Sequence, residues 1–332
     1  MPKINNVAII GSNSFSGSHT VNHFLSKTKA NVFGISRSPE NKSIYLPYKS
    51  NMLERFTFHQ MDLNRDLDRI IGLLDKERPD VIINFAAQGE VRSSWNYPVH
   101  WFRTNTLALV GLLDKLKDRK YIRRYIHAST PEVYGETNGP LREGMLYQPS
   151  TPYAASKAAG DLFIYTLKKS HGFPATLTRA ANVYGPHQQL YRIIPRTIIS
   201  IKKGIKLPLH GRGESKRAFI HIEDVCEALV QIAKNEKPSF IYHLSSERIR
   251  TIKSVVELIC QEMGADFSSC VKYTGKPLAQ DSSYDLDYSL AKKELGFKPK
   301  WKLEDGIKEV IRWVDENWEE IKNEPTEYIH KE

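Results

Sequence analysis

The stretch Val7-Ala8-Ile9-Ile10-Gly11-Ser12-Asn13-Ser14-Phe15-Ser16-Gly17 decides the fold, because an apolar run passes directly into a glycine loop. The apolar run predicts a buried strand, and helical spacing begins at Val21. Glycines at both ends of the loop allow a sharp turn and let the N-terminus of the next helix approach a pyrophosphate, whose charge the free N–H groups stabilise. Ser14 stands where such loops usually have glycine, so an ordinary strand-to-helix turn remains the alternative.

Short apolar runs and helical segments alternate along the first half of the chain. The predicted strands cover residues 7–10, 32–35, 56–60, 81–85, 125–128 and 176–179, and the predicted helices contain residues 21–25, 70–74, 106–116 and 154–167. Several of these strands are apolar throughout, as expected for parallel strands that are covered on both faces. The alternation predicts an α/β fold with a doubly wound parallel sheet.

The pattern changes after Gly185, where prolines and glycines interrupt the chain and the predicted helices at 252–263, 288–295 and 303–321 lie among irregular segments. This change predicts a smaller C-terminal α/β lobe. We therefore expect a dinucleotide-binding domain over residues 1–185, to which some later segments return, and a substrate-binding lobe over residues 186–322. Residues 323–332 are polar and are expected to form a frayed tail.

The composition excludes several classes of protein. The chain has 332 residues, of which 40% are hydrophobic and 26% charged, as in an ordinary soluble globular protein. No apolar stretch reaches the roughly 18 residues of a membrane span, and the N-terminus lacks the features of a signal peptide. Cys226, Cys260 and Cys270 show no metal-ligand spacing. We therefore predict a cytoplasmic protein with no membrane segment and no metal site.

The formal net charge of +10 comes from 48 Lys and Arg residues against 38 Asp and Glu residues. A lysine-rich solvated surface explains this excess most simply, and attraction of a small anionic ligand is the alternative. Basic residues cluster only at 115–124 and 202–206, without interleaved aromatic residues or zinc-finger spacing. The sequence therefore predicts no nucleic-acid partner.

The end of the second predicted strand reads Gly34-Ile35-Ser36-Arg37-Ser38. Dinucleotide-binding sheets that prefer NAD place a carboxylate here, on the ribose hydroxyls. A hydroxyl beside a guanidinium suits a 2′-phosphate better, so Ser36 and Arg37 favour NADP over NAD. A solvated loop position remains the alternative for Arg37.

The segment Tyr153-Ala154-Ala155-Ser156-Lys157 carries the strongest chemical signal, and residues 150–152 predict a helix start just before it. Residues four apart share one face of a helix, so the Lys157 ammonium is expected below the Tyr153 phenol. This cation, the helix N-terminus and a bound nicotinamide would favour phenolate and bring a pKa of about 10 towards neutrality. The spacing is common by chance, but its place in a chain that opens with a glycine loop favours a catalytic pair.

Together these residues resemble the extended short-chain dehydrogenase/reductase family of nucleotide-sugar enzymes, over nearly the whole chain. Further matching segments are Asp62-Leu63, Asn84-Phe85-Ala86-Ala87, Asn105, Ser129-Thr130, Asn182-Val183-Tyr184-Gly185-Pro186 and Arg217-Ala218-Phe219-Ile220-His221-Ile222-Glu223-Asp224-Val225. The resemblance implies a Rossmann fold, NADP or NAD as cofactor and a nucleoside-diphosphate sugar as substrate. It also implies a homodimer formed through the two helices at 106–116 and 154–167.

The resemblance indicates which residues serve the site. Cofactor contacts are expected at Gly11, Asn13, Ser14, Phe15, Ser16, Gly17, Ser36, Arg37, Asp62, Leu63, Ala86, Ala87, Asn105, Tyr153 and Lys157, and substrate contacts at Gln88, Asn182, Arg192 and Arg217. Arginine suits bidentate binding of a diphosphate. A structural role remains the alternative for Asn182, Arg192 and Arg217.

Within that family, Ser129-Thr130-Pro131-Glu132-Val133-Tyr134-Gly135 most resembles the sugar 4,6-dehydratases. In the dTDP-glucose enzymes a Thr-Asp-Glu run supplies a phenol partner, a general acid and a general base, and here Pro131 replaces the acid. The expected reaction oxidises C4 of the hexose with Tyr153 as base, removes the C5 proton with Glu132 and expels water to give a 4-keto-6-deoxy sugar. A protonated Glu132 is the expected donor to the leaving hydroxyl. Backbone capping, or pairing with Arg142 or Lys157, is the structural alternative for Glu132.

Three other functions stay open at this point. A UDP-sugar 4-epimerase and a UDP-glucuronate decarboxylase share the family, and the decarboxylase needs no acid to expel a hydroxyl. A dinucleotide-sensing scaffold without turnover is the non-enzymatic alternative, against which the intact Tyr153 and Lys157 argue. The sequence does not distinguish the nucleobase or the hexose of the substrate.

Overall fold

The structure is a computed structural model that describes residues 3–50, 53–137, 139–275 and 283–331. The other residues of the predicted domains, at 1–2, 51–52, 138, 276–282 and 332, lie outside the described ranges. The strands are β1 (Asn6–Ile10), β2 (Asn31–Ser36), β3 (Phe56–Gln60), β4 (Val81–Asn84), β5 (Arg124–Ala128), β6 (Pro140–Leu141), β7 (Ala175–Ala180), β8 (Asn182–Tyr184), β9 (Leu207–His210), β10 (Lys216–His221), β11 (Ile241–Leu244), β12 (Ile249–Thr251), β13 (Val271–Thr274) and β14 (Asp285–Leu286). The helices are α1 (Phe15–Lys27), α2 (Leu67–Glu77), α3 (Ser93–Asn96), α4 (Pro98–Phe102), α5 (Leu109–Leu116), α6 (Pro152–His171), α7 (Ile193–Lys202), α8 (Ile222–Lys234), α9 (Ile252–Glu262), α10 (Phe267–Cys270), α11 (Ser289–Leu295), α12 (Leu303–Glu316) and α13 (Trp318–Ile321).

Seven parallel strands form the central sheet, in the order β3-β2-β1-β4-β5-β7-β11. The six predicted strands all belong to it, which confirms the predicted fold class. The seventh strand, β11, was not predicted, because its four residues, which include His243, do not distinguish a strand from a helical turn. The strand order reverses between β1 and β4, and sheets of this kind bind ligands in the crevice at the carboxyl ends of such strands.

Helices cover both faces of the sheet. On one face α1 and α8 contribute Phe24 and Leu229 to a buried apolar cluster. On the other face α2, α5 and α6 contribute Leu74, Leu113 and Ile164. Strands β1 and β4 are therefore buried on both sides, which explains why their sequences are largely apolar.

The C-terminal part of the chain has an apolar cluster of its own, to which α7, α9 and α12 contribute Ile198, Ile259 and Val310. A three-stranded sheet of β12, β10 and β8 and a pair formed by β13 and β9 also belong to this part. By contrast, α8 packs against α1 and β11 joins the central sheet, so these two later elements lie with the first half of the chain. The boundary at residue 185 remains a prediction.

Three predicted elements differ in the structure. Residues 103–108 form a π-helical segment ahead of α5. The helix predicted over 303–321 breaks at Asn317, whose Nδ2 donates to the carbonyl of Trp313 at 2.8 Å and so competes with the helical pattern. The prediction of a frayed tail was wrong, because residues 324–331 make side-chain and backbone contacts with both halves of the protein.

Within the described ranges, none of the helices combines the length and apolar character needed to cross a bilayer.

Candidate active site

The glycine loop brings the start of α1 against the end of β4. A Cβ atom at Gly11, whose φ is +88°, would lie 2.7 Å from the backbone N of Ala86, and one at Gly17 would lie 2.2 Å from the carbonyl O of Gly11. Side chains therefore do not fit at either position. The Ser14 hydroxyl accepts a hydrogen bond from the Gly17 N–H at 3.0 Å and donates one to the Gly11 carbonyl at 2.7 Å. Serine thus caps the helix at the place where such loops usually have glycine.

The side chains at the end of β2 are already engaged by other parts of the protein. The Ser36 hydroxyl accepts a hydrogen bond from the Asn13 N–H at 3.0 Å. The Arg37 guanidinium donates through Nη2 to the carbonyl O of Lys331 at 3.1 Å. Both side chains behind the predicted preference for NADP thus have partners within the chain, and that preference stays a prediction.

Asn105 lies behind the wall of the site. Its Oδ1 accepts from the Gln88 N–H at 2.8 Å, and its Nδ2 donates to the Gln88 carbonyl at 3.1 Å and to the Ser156 hydroxyl at 3.0 Å. These bonds fix the backbone that follows β4 against α6. The structure therefore places Asn105 as a support for Gln88, rather than among the residues that face the site.

Helix α6 presents the predicted tyrosine and lysine. The Thr151 hydroxyl caps the helix by accepting from the Ala154 N–H at 3.1 Å, and the helix begins at the next residue, as predicted. Tyr153 and Lys157 lie one turn apart and line the same cavity. The spacing thus brings the two side chains to one face of the helix.

The buried Lys157 ammonium is held by strand β5. It donates to the carbonyl of Ala128 at 2.8 Å and to Nε2 of His127 at 3.0 Å. Because an ammonium only donates, the His127 ring accepts at Nε2 and carries its proton on Nδ1. Burial lowers the pKa of Lys157 to about 8, and the negative charge of Asp161 acts in the opposite direction. Burial, followed by the Lys157 charge, also holds the pKa of His127 well below its ordinary value.

The phenol of Tyr153 lies beside Thr130 and Glu132. Burial raises the pKa of Tyr153, the negative charge of Glu132 raises it further, and a hydrogen bond with Thr130 lowers it. Among the protein's own groups, burial thus outweighs the contacts that favour phenolate. The predicted lowering of this pKa also includes the charge of a bound nicotinamide, and it stays a prediction.

The segment after β5 places a hydroxyl and a carboxylate on the cavity wall. Thr130 caps a short 3-10 helix, Pro131–Tyr134, and its Oγ1 accepts from the Glu132 N–H at 3.3 Å. Thr130, Pro131 and Glu132 all line the cavity. Glu132 is therefore the acidic side chain beside Tyr153, and Pro131 supplies no proton.

A buried ion pair lies beneath these groups. Asp161, one turn after Lys157, accepts from Arg179 Nη2 at 2.9 Å, and both side chains are 0% exposed. Asp161 also accepts from the Ser129 hydroxyl at 2.6 Å. The Arg179 guanidinium lies 4.5 Å from the centre of the Tyr134 ring. This network ties α6 to β7 and to the end of β5, directly under the segment from Thr130 to Glu132.

The predicted substrate side contains one residue that the sequence analysis missed. Arg217 lies over the ring of the buried Tyr284, 4.6 Å from its centre, and the Tyr284 hydroxyl donates to Asn182 Oδ1 at 2.8 Å. The Arg192 guanidinium lies over the Tyr191 ring, 5.2 Å from the centre of that ring. Tyr284 gave no signal in the sequence, because it belongs to an irregular segment whose position depends on tertiary contacts.

One cavity of about 1120 Å³ joins these groups. All the predicted site residues line it except Gly17 and Asn105. The C-terminal residues that also line it are Pro325, Glu327, Tyr328, Ile329 and Lys331, none of which was predicted. Its volume lies above the usual range of roughly 300–1,000 Å³ for small-molecule sites, which suits a site for two ligands. No group of three His, Cys, Asp or Glu side chains suited to a metal ion occurs in the described part of the chain.

The match to known proteins extends through both halves of the chain. A sequence profile described as GDP-mannose 4,6 dehydratase matches residues 9–310. The chain belongs to this family. The GDP-mannose 4,6 dehydratase family consists of nucleotide-sugar enzymes of the extended short-chain dehydrogenase/reductase type, so the predicted family and its Rossmann fold are confirmed.

Individual relatives of the family agree with this assignment. The dTDP-glucose 4,6-dehydratase of Streptomyces antibioticus is 30% identical over 330 residues, which cover 96% of each chain. Another relative is the trifunctional UDP-glucose 4,6-dehydratase/UDP-4-keto-6-deoxy-D-glucose 3,5-epimerase/UDP-4-keto-L-rhamnose-reductase RHM2 of Arabidopsis thaliana. The two sequences are 31% identical over 95% of this chain. This chain spans about half of the length of that relative (48%). The solved structure of DesIV, a dTDP-glucose 4,6-dehydratase from Streptomyces venezuelae with NAD and dTDP bound, is 28% identical with a TM-score of 0.87, covering 94% of this chain and 97% of DesIV.

Proposed function

We propose that this protein is an NAD(P)-dependent nucleotide-sugar 4,6-dehydratase. The observation that carries the proposal is the juxtaposition of Tyr153 with Glu132 on one cavity wall, where the carboxylate is close enough to raise the phenol pKa. Thr130 connects the two, because it hydrogen-bonds Tyr153 and caps the turn that carries Glu132. A base for a sugar hydroxyl and a base for a sugar C–H are therefore held side by side.

The glycine loop fits the pyrophosphate of a dinucleotide. Its two glycines bring the first turn of α1 to the cavity, and the N–H groups of a helix N-terminus stabilise phosphate charge. When bound, the nicotinamide supplies a hydride acceptor and donor, and its positive charge also favours the phenolate form of Tyr153. The predicted preference for NADP, from Ser36 and Arg37, remains part of this proposal.

The protein's own residues would carry the protons. Tyr153 accepts the proton of the 4-hydroxyl as C4 is oxidised to a ketone. The ketone acidifies C5–H, and Glu132 removes that proton. With Pro131 in place of an acid, Glu132 then returns the proton to the C6 hydroxyl, which leaves as water. The 4-keto-5,6-ene left by this elimination would take a hydride at C6 from the bound dinucleotide and a solvent-derived proton at C5 from Glu132. The product would then be a 4-keto-6-deoxy sugar, and the net loss would be one molecule of water.

A second candidate is a nucleotide-sugar acid decarboxylase. It is favoured by Pro131, because loss of carbon dioxide from C5 of a 4-keto sugar acid needs no proton donor for a leaving hydroxyl. The base for the 4-hydroxyl and the dinucleotide site would be the same. Release of carbon dioxide from a nucleoside-diphosphate hexuronate would support this candidate over the dehydratase.

Incubation with dTDP-glucose, UDP-glucose and GDP-mannose in deuterium oxide tests the proposal. At least one of these should give a 4-keto-6-deoxy product that carries solvent deuterium at C5. The variant Glu132→Gln should bind the dinucleotide and lose the elimination, whereas Glu136→Gln, at an exposed position nearby, should retain it. An unchanged elimination rate in Glu132→Gln would show that the assigned role is wrong.

We further propose a homodimer. Helix α6 exposes Leu162 and Tyr165, and the neighbouring α4 and π-helical segments expose Val99, Phe102 and Leu107. A contiguous apolar surface of this kind on two helices marks a protein interface. Sedimentation should therefore give the mass of two chains for the native protein and of one chain for Leu107→Glu with Leu162→Glu.

A further inference from the structure

The last residues of the chain lie in an extended conformation along the protein surface. After α13 ends at Ile321, burial alternates residue by residue: Glu324, Thr326, Tyr328 and His330 are half-buried, and the residues between them are exposed. A period of two is the signature of an extended segment with one face against the protein. We call residues 324–331 the roof, because five of them line the large cavity.

The first half of the roof is attached to both sides of the cleft. Glu324 pairs with Lys42, which follows β2 on the dinucleotide side. Glu327 pairs with Arg196 on α7, in the C-terminal lobe. The segment therefore crosses from one side of the cavity to the other.

Aromatic contacts hold the rest of the roof. The Tyr328 ring meets the Tyr191 ring edge-on, with centroids 5.2 Å apart. The His330 ring stacks on those of Tyr97, His100 and Trp101, with centroid distances of 4.6, 5.2 and 5.1 Å. A hydrogen bond of 2.9 Å joins His330 Nε2 to His100 Nδ1. The roof is thus tied to the segment between β4 and α5 on the side of the central sheet.

The end of the roof meets two residues that the sequence analysis assigned to ligands. The carbonyl O of Lys331 accepts from Gln88 Nε2 at 2.8 Å and from Arg37 Nη2 at 3.1 Å. Arg37 follows β2 and Gln88 follows β4, and the glycine loop leaves β1, which lies between these two strands. The Lys331 carbonyl therefore spans the crevice at the point where the strand order reverses.

We propose that the roof is a component of the dinucleotide-binding site, which holds a bound NAD(P) in the crevice beneath it. This inference rests on the proposed function, because it requires that the crevice takes a dinucleotide. The open cavity of about 1120 Å³ lies below the roof, so the segment encloses the space rather than fills it. Its ion pairs and ring contacts are partly exposed, and such contacts are individually weak. The roof therefore opens for exchange of the dinucleotide and slows its release when closed.

Release of reduced dinucleotide from the full-length protein tests the roof. The protein is loaded with NADH or NADPH, an excess of the oxidised form is added, and the loss of bound fluorescence gives the dissociation rate. The variant Tyr328→Ala with His330→Ala should release the dinucleotide about tenfold faster. Ile205→Ala, at an exposed position that does not line the cavity, should release it at the native rate. Faster release in the double variant alone supports the proposal, and unchanged or slower release overturns it.

Hydrogen exchange provides a second measurement that needs no variant. Amides of residues 324–331 should exchange more slowly in the loaded protein than in the free protein, and equal or faster exchange would contradict the proposal. If the native protein binds neither NADH nor NADPH, the proposed function fails and this inference fails with it. If the native protein binds one of them and the double variant releases it at the native rate, only the role of the roof is lost.

Discussion

The cavity has a floor and a roof that are held by different kinds of contact. The floor, formed by Thr130, Glu132, Tyr153 and Lys157, is supported by buried hydrogen bonds from β5 and α6 and by the ion pair beneath them. The roof is held by half-exposed ion pairs and stacked rings. Buried contacts fix a geometry, and exposed contacts allow local opening. We therefore expect changes in the floor to affect chemistry and stability, and changes in the roof to affect exchange of the dinucleotide.

The largest effect is expected for the phenol in the floor. Tyr153→Phe removes the base for the 4-hydroxyl and should lower kcat/KM by about 10² to 10⁴, the usual contribution of general acid–base catalysis. Affinity for the dinucleotide, measured by fluorescence titration, should stay within about twofold of the native value. Tyr165→Phe, on the exposed side of the same helix, is the matched control and should be fully active. Retention of more than a tenth of the native kcat/KM by Tyr153→Phe would remove the phenol from the reaction.

The ion pair beneath the floor should dominate stability. Asp161→Asn leaves the Arg179 guanidinium buried without its counter-ion, which costs about 3–5 kcal/mol in the free energy of unfolding. Asp114→Asn breaks a 2.7 Å pair with Lys117 on the surface and should leave the free energy of unfolding nearly unchanged, because exposed pairs are screened by solvent. Urea denaturation measures the free energy of unfolding of both variants. Equal losses in the two variants would contradict the distinction between buried and exposed contacts.

Acid should destabilise the protein through buried histidines. Burial lowers the pKa of His19 to about 3 and that of His243 to about 4, from an ordinary value of 6.5. Below pH 6.5 the unfolded chain binds protons that the folded protein excludes. The free energy of unfolding is therefore lost as pH falls towards 4, by about 1.4 kcal/mol per pH unit for each histidine.

A substitution at one of these histidines tests that dependence. In His19→Gln, the free energy of unfolding, measured by urea denaturation, should fall less steeply between pH 6.5 and 4 than in the native protein. His171→Gln, an exposed substitution at the end of α6, should leave the slope unchanged. An identical slope in all three proteins would exclude His19 as a source of the acid sensitivity.

The smallest effect is expected at the helix cap in the glycine loop. Ser14→Ala removes the bonds to the Gly17 N–H and the Gly11 carbonyl, and should cost about 1 kcal/mol in the free energy of unfolding. Ser14→Gly should cost only a few tenths of a kcal/mol, because glycine is the usual residue in such loops. Thermal unfolding measures the stabilities of the two variants, and Ser14→Ala should be the less stable. If Ser14→Ala were as stable as the native protein, the cap would be dispensable.

The comparison also separates what the sequence predicts from what only the structure shows. The glycine loop, the six strands and the spacing of Tyr153 and Lys157 are local patterns, and each was found at its predicted place. The partner of Lys157 was missed, because His127 lies on a different strand and meets it only when α6 packs on the sheet. The effect of burial on the Tyr153 pKa was missed for a related reason, since burial is a tertiary property.

The roof could be recognised from the sequence only in part. Its alternation of half-buried and exposed residues gives a weak period-two pattern, but polar residues occupy most positions and hide it. Tyr284 and the seventh strand lack even that signal, because their positions depend on contacts with distant segments. Local spacing thus predicts the floor, and long-range packing determines what closes over it.

Isotope transfer within the substrate tests the central claim most directly. A nucleoside-diphosphate hexose deuterated at C4 is incubated with the protein, and the product is examined by NMR. The proposed dehydration predicts that the C4 deuterium reappears on the C6 methyl group of a 4-keto-6-deoxy sugar. Deuterium that remains at C4, with the configuration inverted and the C6 hydroxyl retained, would contradict dehydration and indicate an epimerase.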